Sequence, residues 1–158
     1  MRRTITIVIL SAILVVIFTA SCRSKNLTLS PVEVVKKNIE ATIMNDYNTW
    51  ISTLEEEKSK GFSMENNGEF GVISLTINRL EEVSDQHHIE MILQSENAKR
   101  LGITVENIAL VDSNIDVEYD GAKVPEISGN VSWRYILTRT DKNAPWLIRE
   151  WGYGTGGI

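Results

Sequence analysis

From Ile108 to Tyr119 the chain alternates with a period of two. Ala109, Val111, Ile115, Val117 and Tyr119 fall on one side of an extended backbone, and Asp112, Asn114, Asp116 and Glu118 fall on the other. Successive side chains of a strand point to opposite faces, so this segment is a strand with one apolar and one polar face. Two later segments read as strands beside it. Val131 to Arg139 places Val131, Trp133, Tyr135 and Leu137 on one face. Asp141-Lys142-Asn143 then gives a short hairpin loop into a last strand from Trp146 to Trp151. Asp120-Gly121 is a turn signal, and Phe70 to Val83 reads as a further strand with Ile73, Leu75 and Ile77 on one face.

Helical signals come mainly before these strands. Ser30-Pro31-Val32-Glu33 combines a capping serine, a proline suited to the first helical position and a glutamate that completes a capping box. Val32, Val35, Ile39 and Ile43 follow at helical spacing, and the helix is expected to end near Asn45. Asp46 then caps a second helix carrying Tyr47, Trp50, Ile51 and Leu54, which Glu55-Glu56-Glu57-Lys58 ends in solvent. Ile89 to Leu93 reads as a helical turn, and Ser95 caps a short helix that Gly102 stops. The order is α+β, with helices packed on one face of a curved antiparallel sheet.

The first 22 residues are of a different kind. Arg2 and Arg3 precede an uncharged run from Thr4 to Ala20, followed by Ser21 and Cys22. This is the layout of a secretory signal peptide. The ending Thr19-Ala20-Ser21-Cys22 resembles a bacterial lipobox, with Thr19 where leucine is usual. The resemblance implies that Cys22 takes a diacylglyceryl thioether and becomes the new N-terminus. The other reading is a signal anchor that stays in the bilayer, for which this run is short. Thr4-Ile5-Thr6 does not fit twin-arginine export. Cys22 is the single cysteine, so it makes no intramolecular disulfide. The expected organisation is a signal peptide over 1–21, a lipidated cysteine and tether over 22–29, one α+β domain over 30–154 and a flexible tail over 155–158. From Cys22 to Ser30 the tether reaches at most about 27 Å, which holds the domain close to the membrane.

Composition narrows the function classes. The chain has 158 residues, 42% hydrophobic and 23% charged, which excludes collagen, a disulfide scaffold and full disorder. Loss of Arg2 and Arg3 takes 16 basic side chains to 14 against 21 acidic, a balance of −7. That acidity argues against nucleic-acid binding and against anchoring by a basic patch.

Three stretches carry a resemblance to a known family: Ser30-Pro31-Val32-Glu33-Val34-Val35, Leu101-Gly102-Ile103-Thr104-Val105-Glu106-Asn107-Ile108, and Trp146-Leu147-Ile148-Arg149-Glu150-Trp151-Gly152-Tyr153. Together with the element order they resemble an uncharacterised Gram-positive lipoprotein domain family, a domain of unknown function within the nuclear-transport-factor-2-like superfamily. The resemblance spans about residues 30–154. It implies a cone built from a bent sheet and helices, and an extracytoplasmic location. Relatives in the superfamily often form homodimers through the sheet, and they include isomerases, dehydratases and epoxide hydrolases with acids, a His or a Tyr inside the cone.

Against that background the candidates for chemistry here are Tyr47, Asp112, Asp116, Glu118 and Tyr135. Alternation with the apolar set reads Asp112, Asp116 and Glu118 as an exposed sheet face, and Tyr135 as a core ring. His87-His88 reads as a surface loop, since neighbouring residues diverge and no third metal ligand has suitable spacing. No nucleotide-binding loop, Gly-x-Ser-x-Gly or zinc-protease helix occurs, and no cofactor is called for. Trp50, Trp133, Trp146 and Trp151 either pack sheet against helix or line a pocket for an apolar ligand. The expectation is a membrane-anchored, non-catalytic module. It takes an apolar small ligand through Tyr47, Trp50, Trp133 and Tyr135, or docks to a membrane protein partner. The alternative is a small hydrolase, isomerase or dehydratase using an inward carboxylate.

Overall fold

The computed structural model describes residues 28–62 and 70–152. The expected signal peptide over 1–21, the expected lipidation site Cys22 and the expected tail over 155–158 lie outside the described residues. The elements run α1 (Pro31–Ile43), α2 (Tyr47–Ile51), α3 (Glu56–Ser59), β1 (Val72–Val83), α4 (Gln86–Gln94), α5 (Glu96–Leu101), a 3-10 turn (Val105–Asn107), β2 (Ile108–Tyr119), β3 (Gly129–Thr138) and β4 (Leu147–Gly152). The four strands form one antiparallel sheet in the order β1-β2-β3-β4. The chain is thus mixed α+β, with its strands neighbouring in chain order.

Local chemistry explains the helix ends. At α1 the Ser30 hydroxyl accepts the Glu33 N–H, and the Glu33 carboxylate accepts the Ser30 N–H at 2.7 Å. These bonds satisfy donors that a helix start otherwise leaves unpaired. Asp46 caps α2 by accepting the Thr49 N–H, and Gly102 closes α5 in the left-handed conformation at φ 67°.

α1 packs across one sheet face, over β1, β2 and β4. Val35, Ile39, Trp50, Val111, Ile115, Tyr135, Leu137 and Ile148 form the main core there. A second cluster occupies the opposite face, where α4 and α5 set Ile92 and Ala98 against Ile108, Leu110 and Ile136. The start of β2 is therefore buried on both sides, while its later half keeps Asp116 and Glu118 exposed. Helices cover both faces of the sheet, not one as expected from the element order.

Three further expectations differ from the structure. Ile73 does not share the inward face with Leu75 and Ile77. A register shift between Val72 and Ser74 turns it outward, and it is 59% exposed. His88 is not on a surface loop: it lies in α4 and is buried. The second helix stops at Ile51, and Glu55 does not end in solvent. Leu54 bridges in parallel to Ile148, and the Glu55 side chain turns inward to Arg149 at 2.8 Å and accepts the Thr138 hydroxyl.

Candidate ligand cavity

Between α1 and the sheet lies a cavity of about 840 Å³. α1 contributes Asn38, Ile39 and Thr42, three and four residues apart and so on one helical face. The sheet contributes Leu75, Ile115, Trp133, Tyr135 and Trp151. These come from the apolar face of each strand, where Val111 pairs with Tyr135 and Tyr135 with Trp151. Trp50 of α2 and Phe70 add two further rings. The wall is completed by Val72, Tyr119 and the segment after β2, through Lys123, Val124, Pro125 and Glu126.

The rings are fixed by one another. Trp50 is the centre of an aromatic cluster, with its ring 5.0 Å from Phe62, 5.2 Å from Phe70, 6.0 Å from Tyr47 and 6.2 Å from Trp151. Edge-on and tilted arrangements of this kind are favourable beyond simple burial. Trp133 and Tyr135 stand 6.4 Å apart on β3. Burial pushes the Tyr135 hydroxyl well above the ordinary phenol range, so it stays neutral. Three of the four residues expected to line a pocket, Trp50, Trp133 and Tyr135, line this cavity. Tyr47 instead packs behind Trp50. Trp146 is elsewhere, with the Arg139 guanidinium 4.3 Å over its ring.

The rim depends on a close approach. Gly71 has φ 63°, its carbonyl accepts the Asp120 N–H at 2.7 Å, and a Cβ there would lie 2.5 Å from Val124 Cγ2. The absence of that Cβ lets Val124 seat against the start of β1. Asp120 stiffens the same loop by accepting the Ala122 N–H on its side chain and the Lys123 N–H on its carbonyl. Lys123 and Glu126, the two charged residues of the lining, were not singled out in the sequence. Only the Asp120-Gly121 turn signal marked that region.

The strand carboxylates face the other way. Asp116 accepts from Asn78 at 2.7 Å and from Asn130 at 2.8 Å on the open polar face, and these bonds, Asn130 first, hold its carboxyl below the usual range. Glu118 accepts from Ser74. Asp112 takes a two-pronged bond from Arg134 at 2.6 and 2.8 Å. Arg134 also reaches Asp85 at 2.7 Å and His88 Nδ1 at 3.0 Å. A guanidinium only donates, so Nδ1 accepts and the His88 proton sits on Nε2. Burial, then Arg134, lowers the His88 pKa. The bonds to the His88 N–H and to Arg134 hold Asp85 low. This knot ties α4 to the sheet. Among the described residues no three His, Cys, Asp or Glu side chains are grouped to hold a metal ion. Among them, too, no helix is long and apolar enough to cross a membrane.

Residues 32–152 match the family model described as Domain of unknown function (DUF4829). No curated protein and no solved structure matches the chain.

Proposed function

This chain belongs to the DUF4829 family, and from that starting point we propose that it is a membrane-anchored, extracytoplasmic module that binds a small apolar ligand without transforming it. The observation that carries the reading is the 840 Å³ cavity walled by Trp50, Trp133, Tyr135 and Trp151. Volumes of about 300–1,000 Å³ with mainly apolar walls and few polar groups are typical of small-molecule sites. A helix laid across an antiparallel sheet with a cavity between them supports the nuclear-transport-factor-2-like cone. The charged start, the apolar run Thr4 to Ala20 and the lone Cys22 support export and lipidation. Two acyl chains hold a protein stably where one is marginal.

One observation favours the enzymatic alternative: an acidic residue, Glu126, is among those that line the cavity. Asp112, Asp116 and Glu118 give that alternative no support, because they project from the opposite face of β2.

Calorimetric titration of the full chain in phosphatidylcholine vesicles with 1-anilinonaphthalene-8-sulfonate, blanked against protein-free vesicles, tests the binding reading. Saturable binding at one site is expected, weakened about tenfold or more in Trp133→Ala and in Thr42→Phe, which fills the cavity from α1. Binding that neither variant changes would reject the cavity as the site. Turnover of an ester, epoxide or hydroxy-acid panel that Glu126→Gln abolishes would instead favour the enzyme.

A further inference from the structure

The cavity is asymmetric along its length. Its charged lining residues, Lys123 and Glu126, both lie in the segment after β2, beside Tyr119 and near Thr42 at the end of α1. Further along the strands the lining becomes Ile115, Trp133 and Tyr135. Trp133 pairs with Ser113, six residues along β2 from Tyr119, so these two lining positions stand about 20 Å apart along the sheet. The bilayer core is about 30 Å thick, so one lipid chain reaches about 15 Å. Length and polarity together suit one apolar chain with its polar head at the rim.

The same end of the molecule carries exposed apolar side chains. Ile127 is 86% exposed, Met44 67% and Ile73 59%, with Ile43 beside them. The segments that carry them are joined at this end by the Phe70 N–H bonding Asn45 Oδ1, the Asp120 N–H bonding the Gly71 carbonyl, and the Tyr119 N–H bonding the Ser128 hydroxyl. Large apolar side chains left exposed at one end suit contact with an apolar phase. Asp120, Lys123 and Glu126 give this end no basic surplus, so the contact is apolar and not electrostatic. A lipid on Cys22, as proposed, would leave at most about 27 Å of chain to Ser30, and α1 is about 20 Å long, so the domain could lay this end on the same membrane.

Resting on the cavity-binding reading above, we propose that the ligand is a single-chain membrane amphiphile that enters from the bilayer through the end formed by Ile43, Met44, Ile73 and Ile127. The chain lies along Ile115, Trp133 and Tyr135, and its head stays beside Tyr119, Lys123 and Glu126.

The test uses the full chain in phosphatidylcholine vesicles doped with lysophosphatidylcholine brominated near its chain end. All four tryptophans lie in the domain, and three of them line the cavity. Bromine quenches on contact, so a loss of about half the tryptophan emission is expected, and Thr42→Phe should abolish most of it. The double variant Met44→Glu/Ile127→Glu, which alters no lining residue, should slow the quenching about tenfold while leaving anilinonaphthalene sulfonate binding unchanged. Absent quenching with intact anilinonaphthalene sulfonate binding overturns the amphiphile and leaves the cavity reading standing. Quenching that Thr42→Phe does not reduce also overturns it, as does an unchanged rate in the double variant. Loss of both signals in the unmodified chain rejects both readings.

Discussion

At Gly71 two constraints meet in one residue. Its φ of 63° disfavours any side chain, and a Cβ would lie 2.5 and 2.6 Å from the two Val124 methyl carbons. The left-handed conformation costs roughly 1–2 kcal/mol for a non-glycine residue, and overpacking adds about 1–3. Gly71→Ala should therefore destabilise the domain by about 2–5 kcal/mol in urea unfolding. Adding Val124→Ala should recover the packing part and leave the conformational part. Complete recovery would show that the backbone at 71 carries no strain. His88 is the other residue whose environment makes a prediction. Arg134 faces it from β3 and Asp112 from β2, while Asp85 and His87 lie near it on its own segment. Its pKa is lowered in the folded state, so the unfolded chain binds the proton more readily below about pH 6.5. Stability should be level above that pH and fall as the pH drops through the folded-state value. His88→Gln should flatten the fall that begins below about pH 6.5, where Asp85 and Asp116, both lowered, stay ionised. An unchanged slope in that variant would contradict the assignment.

Elements differ in how their stability is secured. α1 has a local start signal, and Ser30→Ala should cost about 1 kcal/mol by chemical denaturation through loss of the reciprocal Ser30–Glu33 bonds. α4 and α5 instead depend on Arg134, which joins Asp85 on the helix side to Asp112 on β2. Arg134→Met leaves two carboxylates without their cation and should destabilise by about 2–4 kcal/mol. Hydrogen exchange should show protection lost first in 86–101, with β2 retained. Uniform loss across the domain would mean that the knot does not act locally. This contrast also explains what could be read from the chain. The capping box at Ser30, the cap at Asp46, the Gly102 stop and the alternation of β2 are encoded within a few residues, and each reappears in the fold. The bulge at Ile73, the parallel bridge at Leu54 and the Arg134 knot join residues far apart in the chain. No local period announces such contacts. His88 read as a loop residue because its partners, Asp112 and Arg134, arrive from strands 24 and 46 positions later.

For the whole molecule, the aromatic set was legible as a candidate pocket lining and the apolar strand faces as its floor. Lys123 and Glu126 were not, since their place depends on Val124 packing over Gly71. The proposed lipid anchor at Cys22 is tested at this scale as well. Cys22→Ala should abolish incorporation of labelled palmitate in a bacterial host and release the chain from lipid-dependent membrane attachment. Undiminished labelling would place the acyl group elsewhere.

Native mass spectrometry of the full chain, extracted from expressing cells in mild detergent, reads the proposed ligand by its mass. One non-covalent adduct of amphiphile mass per chain is expected, shed on collisional activation and missing from Thr42→Phe. An adduct retained unchanged in Thr42→Phe, or a folded chain carrying none while its cavity accepts no added amphiphile, would contradict the proposal.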